Sequence, residues 1–101
     1  MITEFEENGW RVIQPSGNIQ EDLSEEFRLT IKNLMDQGCQ KFRFDFSNVQ
    51  DINAEALSVL IIMTKKLSET NNELNLEVIG ANQNIENLFR VIHLDEFFKM
   101  S

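Results

Sequence analysis

Phe42-Arg43-Phe44-Asp45-Phe46-Ser47-Asn48-Val49-Gln50-Asp51-Ile52-Asn53-Ala54-Glu55-Ala56-Leu57-Ser58-Val59-Leu60-Ile61-Ile62-Met63 is where this chain commits to an architecture. Phe42, Phe44 and Phe46 alternate with Arg43 and Asp45, the period of a strand with one buried face. Over residues 56–63 only Ser58 is polar. That predicts a helix packed on most of its sides, because a helix apolar all round has no face for water. Between strand and helix, residues 47–53 form a short polar loop. Parallel α/β sheets place their binding surfaces at the carboxyl edge of the strands, which is where this loop lies.

The segments on either side extend the pattern. Residues 2–6 read as a short edge strand, followed by Asn8-Gly9 and then Trp10, Val12 and Ile13. Asn-Gly between two strand-like runs predicts a hairpin with a type I′ turn, which needs positive φ at both central positions. Pro15 fits the end of the second strand better than a strand centre. Asp22 and Glu25 have capping-box spacing, so Asp22 is the expected N-cap of a helix carrying Phe27, Ile31, Leu34 and Met35 on one face. Gly38 falls where a helix-terminating glycine belongs.

Asn53 can cap the central helix, expected to run to about Thr70, with Asn71-Asn72 as a turn. Leu74, Leu76 and Val78 alternate with Asn75 and Glu77 as a further strand, which Gly80 ends. Ile85, Leu88, Phe89 and Ile92 share one face of a third helix, and Phe97 and Phe98 are expected to pack back on the core. The order is ββαβαβα. It predicts one α/β domain over residues 1–101, built on a mixed, mainly parallel four-stranded sheet with its helices mainly on one face.

Composition narrows the function. Of the 101 residues 42% are hydrophobic and eight are Phe, enough for a core. The net charge of −8 argues against a nucleic acid, whose phosphates need a basic face, and against anionic membranes. One cysteine, Cys39, and one histidine, His93, allow no intrachain disulfide and no ordinary metal cluster. Both read as structural residues, His93 as a cap or a packed side chain. Gly9, Gly17, Gly38 and Gly80 are isolated, so there is no glycine-rich phosphate loop, and no cofactor is expected. The first residues are acidic and carry no apolar run, and no run approaches a membrane span, so a reducing, cytoplasmic setting is expected. Asp45 and Asp51 flank the central loop but read as exposed charges rather than a catalytic pair. Without a convergent set of titratable residues, no enzymatic activity is expected.

Three patterns, in order along nearly the whole chain, resemble the STAS domain in its bacterial anti-sigma-factor-antagonist form. They are Val12-Ile-Gln-Pro-Ser-Gly-Asn-Ile19, Phe46-Ser-Asn-Val-Gln-Asp-Ile-Asn-Ala-Glu-Ala-Leu-Ser-Val-Leu60, and residues 74–98 with their closing Leu94-Asp-Glu-Phe-Phe98. The family opens its central helix with Asp-Ser-Ser-Gly, and in phospho-regulated members the second Ser accepts phosphate from a partner kinase. Here the matching residues are Asn53-Ala54-Glu55-Ala56, so Glu55 stands at the phosphoacceptor position. No Ser or Thr lies between Ser47 and Ser58.

The resemblance implies a protein partner, an ATP-binding anti-sigma factor or kinase-like switch protein, and a transcription-regulating signalling role. The loop 47–53 and the helix start would meet that partner, with Asn18, Asp51, Asn53, Glu55 and Ser58 as contact residues. Phosphorylation at the usual site is not carried over. Three roles are open to Glu55. It can meet the positive end of the helix dipole, worth about 0.3–1 kcal/mol. It can stand in for phosphoserine with one charge instead of about two. Or the loop can serve a partner that never reads phosphorylation. The alternative assembly is the STAS subunit of a lipid-transport ABC system, binding its ATPase constitutively.

Overall fold

The computed structural model describes residues 1–71 and 73–101. The elements run β1 (Ile2–Glu7), β2 (Trp10–Pro15), α1 (Glu21–Asp36), β3 (Lys41–Asp45), α2 (Ala54–Thr70), β4 (Asn75–Ile79), α3 (Gln83–Val91), a 3-10 turn at Leu94–Glu96, and β5 (Lys99–Met100). β1 and β2 form the expected hairpin around Asn8 and Gly9, with φ of +54° and +88°. The other neighbours pair in parallel, giving the sheet order β1-β2-β3-β4-β5. The sheet has five strands where four were expected. β5 pairs Lys99 with Glu77 and Met100 with Val78, and the Ser101 N–H donates to the Val78 carbonyl at 2.8 Å. Two residues are too few for alternation to show in a sequence.

Register explains the core. Ile13 lies opposite Phe44, and Phe44 opposite Val78, so these side chains share the face on which the helices pack. Phe44 sits at the centre: its ring lies 5.7 Å from Phe27 of α1, 5.9 Å from Phe46 and 5.9 Å from Phe98. Phe46 in turn meets Phe89 of α3 edge-on at 6.4 Å. Phe98 is buried as expected, whereas Phe97 is 46% exposed. The opposite face of the sheet carries polar groups instead of a helix layer. There the Arg43 guanidinium lies 4.8 Å above the Trp10 ring and within 3.4 Å of Glu7 and Glu77.

Two further expectations are corrected. α1 begins at Glu21, not after Asp22; Gln20 is its N-cap residue and makes no side-chain cap bond. Glu21 itself has φ +50°, and the Ser24 hydroxyl, buried, donates to the Glu21 carbonyl at 2.7 Å. The Asp22–Glu25 pattern therefore lies inside the first turn. Nor is α2 packed on most sides. Ala56, Val59, Leu60, Met63, Thr64 and Leu67 are buried, but Ile61 and Ile62 are 44% and 54% exposed. A single sheet face covers one stripe of a helix and leaves the opposite stripe half exposed. The helix ends went as expected. Asn53 caps α2, which runs to Thr70. Gly38 and Cys39 close α1, donating to the carbonyls of Met35 at 2.9 Å and Leu34 at 3.0 Å. The Asn71-Asn72 turn falls partly on Asn72, outside the described residues.

Candidate functional site

The loop 47–53 leaves the carboxyl end of β3 and is tied to three other parts of the chain. Its first residue is fixed by the strand it leaves. Asp45 Oδ1 accepts from the Ser47 hydroxyl at 2.5 Å and the Ser47 N–H at 3.0 Å, and Asp45 Oδ2 from Gln14 Nε2 at 2.9 Å. The segment after β2 grips the middle. Asn18 Oδ1 accepts from the Gln50 N–H at 3.2 Å and the Asp51 N–H at 3.0 Å. Ile19 pairs with Ile52 as a one-residue parallel bridge, its N–H donating to the Asp51 carbonyl and its carbonyl accepting from Asn53. From the other side, Asn82 Nδ2 donates to the Gln50 carbonyl at 2.9 Å and Asn84 Nδ2 to Asp51 Oδ1 at 3.2 Å. Val49 and Ile52 point into the core. A polar loop with most of its backbone N–H groups hydrogen-bonded and two apolar anchors is held in one shape.

The five sequence-derived residues divide into two groups. Asn18 and Asn53 spend their side chains on backbone, Asn53 Oδ1 capping α2 by accepting from the Ala56 N–H at 2.9 Å, and Asp51 Oδ1 accepts both from the Ile52 N–H at 2.9 Å and from Asn84. Glu55 and Ser58 instead lie exposed, three residues apart on α2. Glu55 is the second residue of the helix, at the positive end of its dipole. Its Oε2 lies 3.2 Å from the Ser24 hydroxyl, whose single proton is shared with the closer Glu21 carbonyl at 2.7 Å, which brings the start of α2 against the first turn of α1. Ser58 donates its hydroxyl to the Ala54 carbonyl at 2.9 Å.

Three partners were not foreseen from the sequence: Ser24, Asn82 and Asn84. Asn82 carried a legible signal, an Asn just after Gly80 and before the periodic run from Ile85, and it is indeed the α3 N-cap. Nothing local marks Ser24 or Asn84. Their partners are 31 and 33 residues away. His93, expected as a cap or a packed side chain, is the N-cap residue of the 3-10 turn without a side-chain cap bond; it is exposed with φ +64° and pairs with Glu96 at 2.9 Å.

Burial raises the pKa of the Asp45 carboxyl, but the hydrogen bonds from the Ser47 hydroxyl, the Ser47 N–H and Gln14 outweigh it and hold the group below its ordinary value. With the folded pKa below the unfolded one, Asp45 stabilises the protein fully above about pH 4, and this is lost as pH falls through the folded value. Asp45→Asn is expected to be less stable than wild type at pH 7, with the gap closing below about pH 4. Urea midpoints across pH measure this; a gap that stays constant with pH would contradict it. Asn18→Ala removes the acceptor for two loop N–H groups and is expected to cost about 1 kcal/mol. Hydrogen exchange at Gln50 and Asp51 should then rise more than at Phe44, because the loop opens locally.

A mixed α/β sheet with helices on one face and a fixed loop at its carboxyl edge defines a small α/β domain. Its residues 3–101 match the family described as STAS domain, and the chain belongs to that family. No curated protein sequence matches it. Among solved structures, SpoIIAA of Bacillus in its phosphorylated form superposes with a TM-score of 0.78 at 12% identity, covering 100% of this chain and 91% of that one. An anti-sigma factor antagonist of Mycobacterium paratuberculosis gives 0.78 at 17%, covering 99% and 83%. A Thermotoga maritima protein assigned as an anti-sigma factor antagonist gives 0.83 at 16%, covering 98% and 84%. At these identities the likeness is one of fold. Among the described residues no helix is long and apolar enough to cross a membrane.

Proposed function

We propose that this chain is a non-catalytic regulatory domain that docks a protein partner through the loop 47–53 and the start of α2. The observation that carries this is the prior fixing of the loop by Asp45, Asn18, Asn82 and Asn84. A surface ordered before contact loses less entropy on binding, so more of its contact energy appears as affinity. Asn18, Asp51 and Asn53 shape this surface, while Glu55 and Ser58 offer exposed groups to a partner. The partner class in this reading is a kinase-like, ATP-binding anti-sigma factor, with this chain as its antagonist; neighbours described as anti-sigma factor antagonists support it. The net charge of −8 suits a partner with a basic contact surface.

Docking in this reading needs no phosphate. In this reading Glu55 stands in for the family's phosphoacceptor, with one charge where phosphoserine has about two, at the helix end that favours a carboxylate. The test is affinity purification with wild type and Glu55→Lys from cells expressing the gene. A soluble ATP-binding kinase-like protein, held by wild type and lost from a folded Glu55→Lys variant, supports the reading. A transport ATPase held equally by both would overturn it in favour of a constitutive transport subunit.

A further inference from the structure

α1 and α2 lie side by side on the sheet, and a groove of about 440 Å³ opens between them on the outer side of the helix layer. Its floor is apolar, formed by Ile31 and Met35 of α1 and Val59 and Met63 of α2. Ile62, 54% exposed, stands on its wall. With the groove floor it forms one continuous apolar surface open to solvent.

The charge around the groove runs against the rest of the molecule. Acidic residues outnumber basic ones by seventeen to nine in the chain. Around the groove cations prevail: Arg28, Lys32 and Lys66 line it, against the carboxylates of Asp36 in the lining and Glu25 beside Arg28. Lys32 pairs with Asp36 at 2.8 Å and Arg28 with Glu25 at 2.6 Å, but both are exposed pairs within one helix, the kind that exchange partners at little cost.

The dimensions select the occupant. From Arg28 to Asp36 along α1 is roughly 12 Å at about 1.5 Å per residue, the length of two helical turns. The groove is open along its wall, as the exposure of Ile62 shows, whereas small-molecule sites bury most of their ligand. An amphipathic helix needs no more than this: apolar anchors at i, i+4 and i+7 and a matching rim. We propose that the groove between α1 and α2 docks an amphipathic helix of a partner protein, with two turns of apolar side chains in the groove and carboxylates facing Arg28, Lys32 and Lys66. This surface is separate from the loop 47–53 and does not depend on the role assigned to that loop.

The test uses the whole protein, isotope-labelled for NMR, and two synthetic helical peptides with Leu at i, i+4 and i+7. One peptide carries Glu on the flanking positions, the other Lys. The acidic peptide is expected to shift amides within residues 28–36 and 59–66, and to bind at least tenfold tighter than the basic one. Ile62→Glu and Lys66→Glu, both at exposed sites and both checked by thermal melting, should each weaken it at least tenfold. The peptide titration reads only groove binding and the partner-capture experiment reads only the loop, so that failure of the loop site and failure of the groove can be told apart. Several results would overturn the proposal: equal binding of the two peptides, or shifts confined to other residues. So would shifts of the groove amides with protein concentration alone, which would mean a second copy of this chain, or their response to decanoate but not to the peptide.

Discussion

Phe44→Ala should lose about 4 kcal/mol, within the range of roughly 3–5 kcal/mol typical of a buried Phe replaced by Ala. A domain of this size has about 5–15 kcal/mol of stability in all, so the variant should be close to unfolding at 37 °C. The position explains the size. Phe44 is fully buried on the central strand, and Phe27, Phe42, Phe46 and Phe98 all pack against its ring. These partners come from α1, from β3 and its end, and from the last turn before β5. They are fixed by different elements and cannot all close on the space left behind. Urea unfolding followed by the fluorescence of Trp10 measures the loss. Phe97→Ala is the control: 46% exposed, it should cost far less. Equal costs would mean that the Phe ladder is not the centre of the core.

The second large effect is at Gly80, where β4 ends. Its φ is +70°, a conformation that costs a non-glycine residue about 1 kcal/mol or more. An added Cβ would also meet the Ser47 side chain, and would stand 3.0 Å from the Ser47 nitrogen and 3.1 Å from its Cα. Ser47 cannot simply step aside. Its N–H and hydroxyl are held by Asp45, and the Phe46 N–H before it donates to the Ile79 carbonyl at 2.9 Å. Gly80→Ala is therefore expected to cost about 3 kcal/mol and to displace the start of the loop. Gly17→Ala, at φ +101° with open space around the new methyl group, incurs only the backbone strain. Urea midpoints for both variants, with amide shifts at Ser47 and Asn48, decide the matter. If Gly80→Ala costs no more than Gly17→Ala, the close approach does not constrain the loop.

Features that repeat within a few residues were legible in the sequence. Phe42, Phe44 and Phe46 announced a central strand, Asn8-Gly9 a hairpin, Asn53 a helix start and Gly38 a helix stop. Each of these depends on a local rule of backbone geometry. β5 was missed because two residues carry no period, and its pairing depends on where α3 delivers the chain. The exposed face of α2 was missed because composition counts apolar residues but does not say how many neighbours exist to cover them; Ile61 and Ile62 are only about half covered. The loop itself was found, but its supports were found only in part. Asn18 was named from a family likeness, whereas Ser24, Asn82 and Asn84 act across more than thirty residues of chain. Contacts of that separation exist only after folding.

The docking account meets its most direct test in a calorimetric titration of a captured ATP-binding partner into phosphatase-treated protein, run beside the Glu55→Lys variant. The account predicts saturable binding by the treated wild type, since no phosphate is required. It predicts at least a tenfold loss for Glu55→Lys, about 1.4 kcal/mol or more, in a variant that stays folded and is less stable only by the lost helix-dipole interaction, about 0.3–1 kcal/mol. Binding by the treated protein that is equal in the two, or binding that returns only when the chain is phosphorylated, would contradict it.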